Sequence, residues 1–205
     1  GLGLLNAGYQ VTLVSNRTGD DIRNGKVMSS QCMFHTSLQI ERDLGITYWE
    51  RECPTVDGIG LAVPHPEQKG AKVIDWVARL RSYAQSVDQR VKIPRWMVEF
   101  EKSGGELVIK DAGVEDLETY AQSHDLTIVS SGKGEIAKLF ERDAIKSTFD
   151  KPQRSLALTY VKNMRPREPF SAVSFNLIPT VGEYFVFPAL TTTGPCEIMV
   201  FEGIP

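Results

Sequence analysis

Gly1-Leu2-Gly3-Leu4-Leu5-Asn6-Ala7-Gly8-Tyr9-Gln10-Val11-Thr12-Leu13-Val14 opens the chain. The leucines and alanine of its first half suit the back of a helix. Gly8 suits the position just past a helix end, where a left-handed backbone favours glycine. Tyr9 to Val14 then reads as a short strand rich in β-branched residues. Helix, glycine and strand form the second half of a βαβ unit. A Gly-x-Gly-x-x-Gly loop is therefore expected just before residue 1, with the natural start of the chain upstream of it.

Working outward, Gln31 to Leu44 has helical spacing, with Phe34 and Leu38 on one side and Gly45 as a stop. Ile59 to Val63 reads as a strand among prolines and glycines. Ala71 to Leu80 fits either a strand or a short helix. Asp88 is the expected N-cap of a helix that ends at Ser103-Gly104-Gly105, with Pro94 near its first turns. Glu106 to Ile109 is a strand and Val114 to Gln122 a helix. Asp125 to Val129 is so apolar that it reads as a parallel strand covered on both faces. A tight turn, Ser130 to Gly134, and a helix over 135–143 follow. Beyond Phe149-Asp150-Lys151-Pro152 the pattern changes. Leu156 to Val161, Ala172 to Ile178, Glu183 to Phe187 and Ile198 to Phe201 read as strands. The expectation is an α/β unit over residues 1–150, with 53–75 contributing to the β region, and an antiparallel β unit over residues 151–205.

Composition narrows the function classes. The 205 residues suit one domain or one and a half. Lys and Arg number 23 against 26 Asp and Glu, for a formal net charge of −3. That balance favours neither nucleic acid nor an anionic membrane. Apolar runs are too short to span a bilayer, and no signal peptide is visible. Cys32, Cys53 and Cys196 lie far apart in sequence, as do His35, His65 and His124. Reduced thiols in a cytoplasmic protein are expected, and no metal site.

Three places could hold a ligand. Ser131, Gly132 and Lys133 lie in a turn of small residues between an expected strand and helix. Such a turn admits a ligand close to the backbone, and the helix amides favour an anion. A plain βα connection is the alternative. A Walker loop is excluded, because Thr127 and Gly134 stand where its glycine and hydroxyl residue belong. Asn16 and Arg17 follow the first strand, where dinucleotide folds place an acidic residue for the ribose. Arg17 could meet a phosphate or stack on adenine, and a solvated loop is the alternative. Arg90, at the entrance of the helix capped by Asp88, could pair with a pyrophosphate or be a surface arginine. Trp49, Trp76, Trp96, Phe185 and Phe187 read as core aromatics. No Gly-x-Ser-x-Gly elbow is present.

Several segments together resemble the oxygenase component of styrene and indole monooxygenases. They are Val11-Thr12-Leu13-Val14 with Asn16-Arg17, Asn24-Gly25, Glu41-Arg42-Asp43, Ser86-Val87-Asp88-Gln89-Arg90 with Pro94, Asp125-Leu126 with Ser131-Gly132-Lys133, Leu139-Phe140-Glu141 and, most specific, Phe149-Asp150-Lys151-Pro152-Gln153-Arg154-Ser155-Leu156. The resemblance implies a p-hydroxybenzoate-hydroxylase-like fold. A FAD-binding Rossmann-like domain, incomplete here without its glycine loop, would carry an antiparallel β substrate-binding domain. It implies FAD, reduced by a partner flavin reductase, and epoxidation of a small styrene- or indole-like aromatic through a flavin hydroperoxide. The cofactor carries that chemistry, so no catalytic side chain is required. Asn16, Arg17, Arg90, Ser131, Gly132 and Lys133 would hold FAD. Residues from Lys26 to Gln31 would lie near the flavin ring, and Ile198, Met199 and Val200 would line the substrate pocket. Asn16 departs from the family's acidic residue, and Gln31, counted with the substrate-binding residues, stands roughly where relatives have asparagine, a departure that would bear on substrate choice. A homodimer is admissible. The rival readings are another Rossmann-type oxidoreductase, or a non-catalytic ligand- or partner-binding remnant.

Overall fold

The computed structural model describes residues 1–28, 30–132 and 135–205. The opening segment keeps the order helix, glycine, strand, with the strand starting at Thr12 rather than Tyr9. Helix α1 (Leu2–Asn6) ends before Gly8, whose φ of 87° is the left-handed turn that releases β1 (Thr12–Ser15). After β1 come α2 (Gly19–Arg23) and α3 (His35–Asp43). The chain then forms β2 (Thr55–Pro64) and β3 (Lys72–Gln85), and next α4 (Gln89–Lys102), β4 (Glu106–Ile109) and α5 (Val114–Ser123). Four strands close the chain: β5 (Ser155–Val161), β6 (Ala172–Ile178), β7 (Gly182–Thr191) and β8 (Gly194–Gly203).

These strands make two sheets. β1 and β4 pair in parallel, with Thr12 opposite Glu106 and Ser15 opposite Ile109. The larger sheet has six strands in the order β3-β2-β6-β7-β8-β5. Its neighbours are antiparallel except β2 and β6, so it is mixed rather than purely antiparallel. The ambiguous run at 71–80 is part of β3. Gly58 is needed in β2. A Cβ there would lie 2.3 Å from the Phe170 ring and 2.6 Å from the Ala78 carbonyl oxygen.

The structure corrects three local expectations. Residues 125–129 form no strand. Leu126 and Ile128 are 74% and 64% exposed. Their apolar character calls for strand partners and cover on both sides, and β1 pairs only with β4 among the described residues. The helix expected from Gln31 begins at His35, because Met33 is drawn into a bridge with Gln85 through bonds of 2.7 and 3.1 Å. The helix expected over 135–143 is a 3-10 turn, Glu135–Leu139.

One face of the large sheet carries the main core: Val56, Ala84, Val173, Phe187, Ala189, Cys196, Ile198 and Val200. A second cluster of Trp49, Cys53, Val87 and Leu190, with Val91 and Trp96 against it, joins α4 to the sheet's end. Beside this cluster Lys92 of α4 is paired with Glu41 of α3, and both are buried. The ammonium also sits 4.8 Å from the Trp96 ring centroid, a favourable place for a cation. Burying two charges is offset only while both remain. Lys92→Met alone is therefore expected to cost about 3–5 kcal/mol. Lys92→Met combined with Glu41→Leu should recover most of that loss, as read by urea unfolding followed through Trp49 and Trp96 fluorescence.

Candidate functional site

Strand pairing decides which side chains share a face. Opposed residues in the large sheet bring Ile198 beside Phe187 and Tyr160, and Val200 beside Phe185 and Leu158. Met199 lies opposite Thr159 and Val186. Successive strand residues point to opposite faces, so Ile198 and Val200 share the core face while Met199 projects from the other. The core face also carries a row of phenylalanines, of which the sequence marks Phe185 and Phe187 as core aromatics and does not single out Phe175. Phe175 and Phe185 have ring centroids 5.2 Å apart, and Phe185 and Phe187 6.1 Å apart. Phe187 is buried, whereas Phe175 and Phe185 are only half-buried. The register of β6, β7 and β8 assembles this wall, and no single strand shows it.

The strap before α3 lies at one end of that face. Cys32 packs on the core cluster, and the Met33–Gln85 bridge holds the backbone. Gln85 in turn donates from Nε2 to the Glu50 and Cys53 carbonyls, each at 2.8 Å. Gln31 is exposed beside this anchored segment. Burial pushes the Cys32 thiol up to about 12, and the Cys53 and Cys196 thiols up to about 11. None of the three is a thiolate nucleophile near neutral pH.

Arg90 is not a free surface arginine. Its Nη2 donates to Asp88 Oδ2 at 2.7 Å and to Thr191 Oγ1 at 3.2 Å, and its Nε donates to both Asp88 oxygens. Thr191 Oγ1 donates to Asp88 Oδ2 at 2.6 Å. Asp88 also caps α4 by accepting the Arg90 amide at 2.9 Å. Backbone bonds complete the clasp: Asp88 N–H to the Leu190 carbonyl at 2.8 Å, and Leu190 N–H to the Ser86 carbonyl at 2.9 Å. The clasp fixes the start of α4 to the end of β7. Beside it, on the core face, the Tyr160 hydroxyl is buried without a hydrogen-bond partner among the described residues. Burial and the nearby Asp88 charge raise its pKa.

The expected nucleotide-holding residues sit elsewhere. Asn16 and Arg17 are exposed at the carboxyl end of β1, in a turn where Ser15 Oγ donates to the Arg17 carbonyl at 2.8 Å. Ser131 and Gly132 are exposed in their turn. Lys133 lies outside the described residues. Near the other end of these segments, His124 Nε2 meets Thr12 Oγ1 at 3.1 Å. Among the described residues no hydrogen bond or ion pair joins Arg17 or the 131–132 turn to Arg90, whose side chain is given to Asp88 and Thr191.

Comparison with known proteins bears on this arrangement. Residues 132–205 match a family described as the styrene monooxygenase A putative substrate binding domain. Over 203 residues the chain is 27% identical to styrene monooxygenase StyA of Pseudomonas fluorescens, covering 99% of this chain and 48% of that protein. Styrene monooxygenase StyA of a Pseudomonas sp. gives the same identity and coverage. The chain thus spans about half the length of the curated relatives it matches. Among solved structures, the flavin-dependent brominase Bmp2 superposes with a TM-score of 0.55 over 100% of this chain and 52% of that one, at 15% identity. At that identity the match speaks for the fold.

The clasp gives a pH test. Burial raises the Asp88 carboxyl, but hydrogen bonds from Arg90 and Thr191 outweigh it and hold the pKa below 3.8. A carboxyl depressed in the folded state stabilises the fold above its unfolded pKa, and that stability is lost as pH falls through the folded value. The wild-type urea midpoint should therefore fall as pH drops below 3.8. Asp88→Asn, which keeps a capping side chain, should lower the midpoint at neutral pH and flatten the acid limb. An unchanged acid limb in the variant would assign the pH dependence to other carboxylates.

Proposed function

We propose, for a chain that is styrene monooxygenase-like along 99% of its length, that it forms the flavin-side and substrate-side walls of a FAD-dependent oxygenase acting on a small aromatic alkene. The observation that carries this reading is the apolar aromatic face of the large sheet, bordered by the anchored strap before α3 and by the Asp88 clasp. β1, β4 and their helices are the cofactor side, and the large sheet is the substrate side.

The residues present fit a flavin in part. Arg17 is exposed at the carboxyl end of a parallel strand, the end where such folds bind ligands. Ser131 and Gly132 offer an exposed backbone turn, and Asn16 could bond a ribose hydroxyl without the charge of an acid. Arg90, already balanced by Asp88, acts chiefly by positioning α4. FAD, reduced by a reductase, supplies oxygen activation when bound. The chain's own task is to exclude water and orient the alkene. Phe175 and Phe185 serve that task with half-buried apolar surface, and the buried Ile198 and Val200 back them. Phe187 backs the wall from within the core, and Met199 lies outside the pocket on the opposite face. A wall without charge suits styrene, and indole fits it through its ring.

The reading is tested by titrating FAD, oxidised and then dithionite-reduced, into a chain extended to the length of its relatives. Saturable binding with a perturbed flavin spectrum is expected, and Arg17→Ala should weaken it by about tenfold. Absence of binding in both redox states rejects the flavin reading. Binding without styrene oxide or indole pigment once a reductase is supplied rejects the substrate.

A further inference from the structure

We propose that the junction of β2 and β3 holds a ligand site, separate from the aromatic face, for a small carboxylate that also carries a hydroxyl group. The register of the two strands breaks there. Val56 faces Ala84 and Gly58 faces Arg79, so Asp57 alone is matched by the run Leu80 to Tyr83. A bulge of this kind turns side chains out of the ladder and re-aims them. Here they open a groove of about 400 Å³, whose lining includes His35, Arg42, Asp57, Arg79, Arg81 and Tyr83. None of the phenylalanines of the aromatic wall lines it. His35 stands just beyond Met33, so the groove adjoins the strap before α3.

Charge in the groove is unbalanced. Arg42 is already satisfied, because its Nε donates to Glu50 Oε1 at 2.8 Å. The Tyr83 hydroxyl donates to the same oxygen at 2.7 Å, which fixes that wall. Arg79 and Arg81 have no carboxylate partner among the described residues, and both are exposed. The Arg79 guanidinium is held 4.1 Å from the Phe170 ring centroid, so less freedom is lost when it binds. Planar guanidiniums match the paired oxygens of a carboxylate. Asp57 sets the second requirement. It forms no ion pair among the described residues. Ser171 Oγ lies 3.1 Å from Asp57 Oδ2, but it has one proton and lies closer, at 2.6 Å, to the Thr55 carbonyl. Asp57 therefore lacks a donor of its own and repels a bare anion. A ligand whose carboxylate meets Arg79 and Arg81 while its hydroxyl donates to Asp57 satisfies all three, and an anion without a donor does not.

Amide chemical shifts of the 205-residue chain, titrated in turn with L-malate and with succinate, test the site. Succinate is malate without the hydroxyl. Malate should give saturable shifts centred on Asp57 and on Leu80 to Tyr83, with succinate about tenfold weaker. Arg79→Ala and Arg81→Ala should each weaken malate about tenfold. Asp57→Asn, which keeps an oxygen beside Ser171, should erase the preference for malate while succinate still binds. Far-UV circular dichroism confirms that each variant keeps the fold. Absence of saturable malate binding up to about 50 mM overturns the proposal, as does malate binding that both arginine variants leave unchanged. Equal binding of malate and succinate to the wild type, or a preference that survives Asp57→Asn, overturns the role given to Asp57 and with it the hydroxyl in the ligand.

Discussion

Asp88 must be charged and must be buried, and much of the structure follows from meeting both demands. At 1% exposure its carboxylate has lost its water. It is stable only because Arg90, Thr191 and the first amide of α4 replace that water with hydrogen bonds. Those partners come from two distant parts of the chain, the start of α4 and the end of β7. Satisfying one carboxylate therefore fixes the helix relative to the large sheet. The backbone bonds of Ser86, Asp88 and Leu190 prolong the same contact. The chain crosses between the small and large sheets here, leaving β3 for α4, so the clasp sets how the two sheets meet.

With α4 fixed, the rest packs around it. Lys92 reaches Glu41 and draws α3 against α4, while Trp96 bonds the Ile46 carbonyl at 3.1 Å. The strap before α3 is then delivered to the end of β3, where Met33 pairs with Gln85. This places an anchored segment beside an apolar sheet face. That juxtaposition is the physical basis for reading the face as a substrate wall, because an aromatic alkene offers little to hydrogen-bond and must be held by shape and apolar contact.

The sequence conveyed local features well and distant ones poorly. Gly8, Asp88 and the strand Glu106–Ile109 were legible because each depends on its near neighbours: a turn, a cap and a short apolar run. Residues 125–129 were misread because apolar composition signals burial but not whether a covering strand is at hand. Asp88 stands two residues before Arg90, yet the third member of the clasp, Thr191, is 101 residues further on. The phenylalanine wall escaped notice for the same reason, since it exists only once β6, β7 and β8 are in register. Met199 is different. The resemblance grouped it with Ile198 and Val200, although the alternation of a strand alone separates it from both.

Methyl chemical shifts offer the most direct test of the substrate face. The chain would be labelled at isoleucine, valine and methionine methyls and titrated with styrene. Ligand on the aromatic face should shift the Ile198 and Val200 methyls together and leave Met199 unmoved. Shifts at Met199 with silence at Ile198 and Val200 would place the ligand on the opposite face and contradict the account.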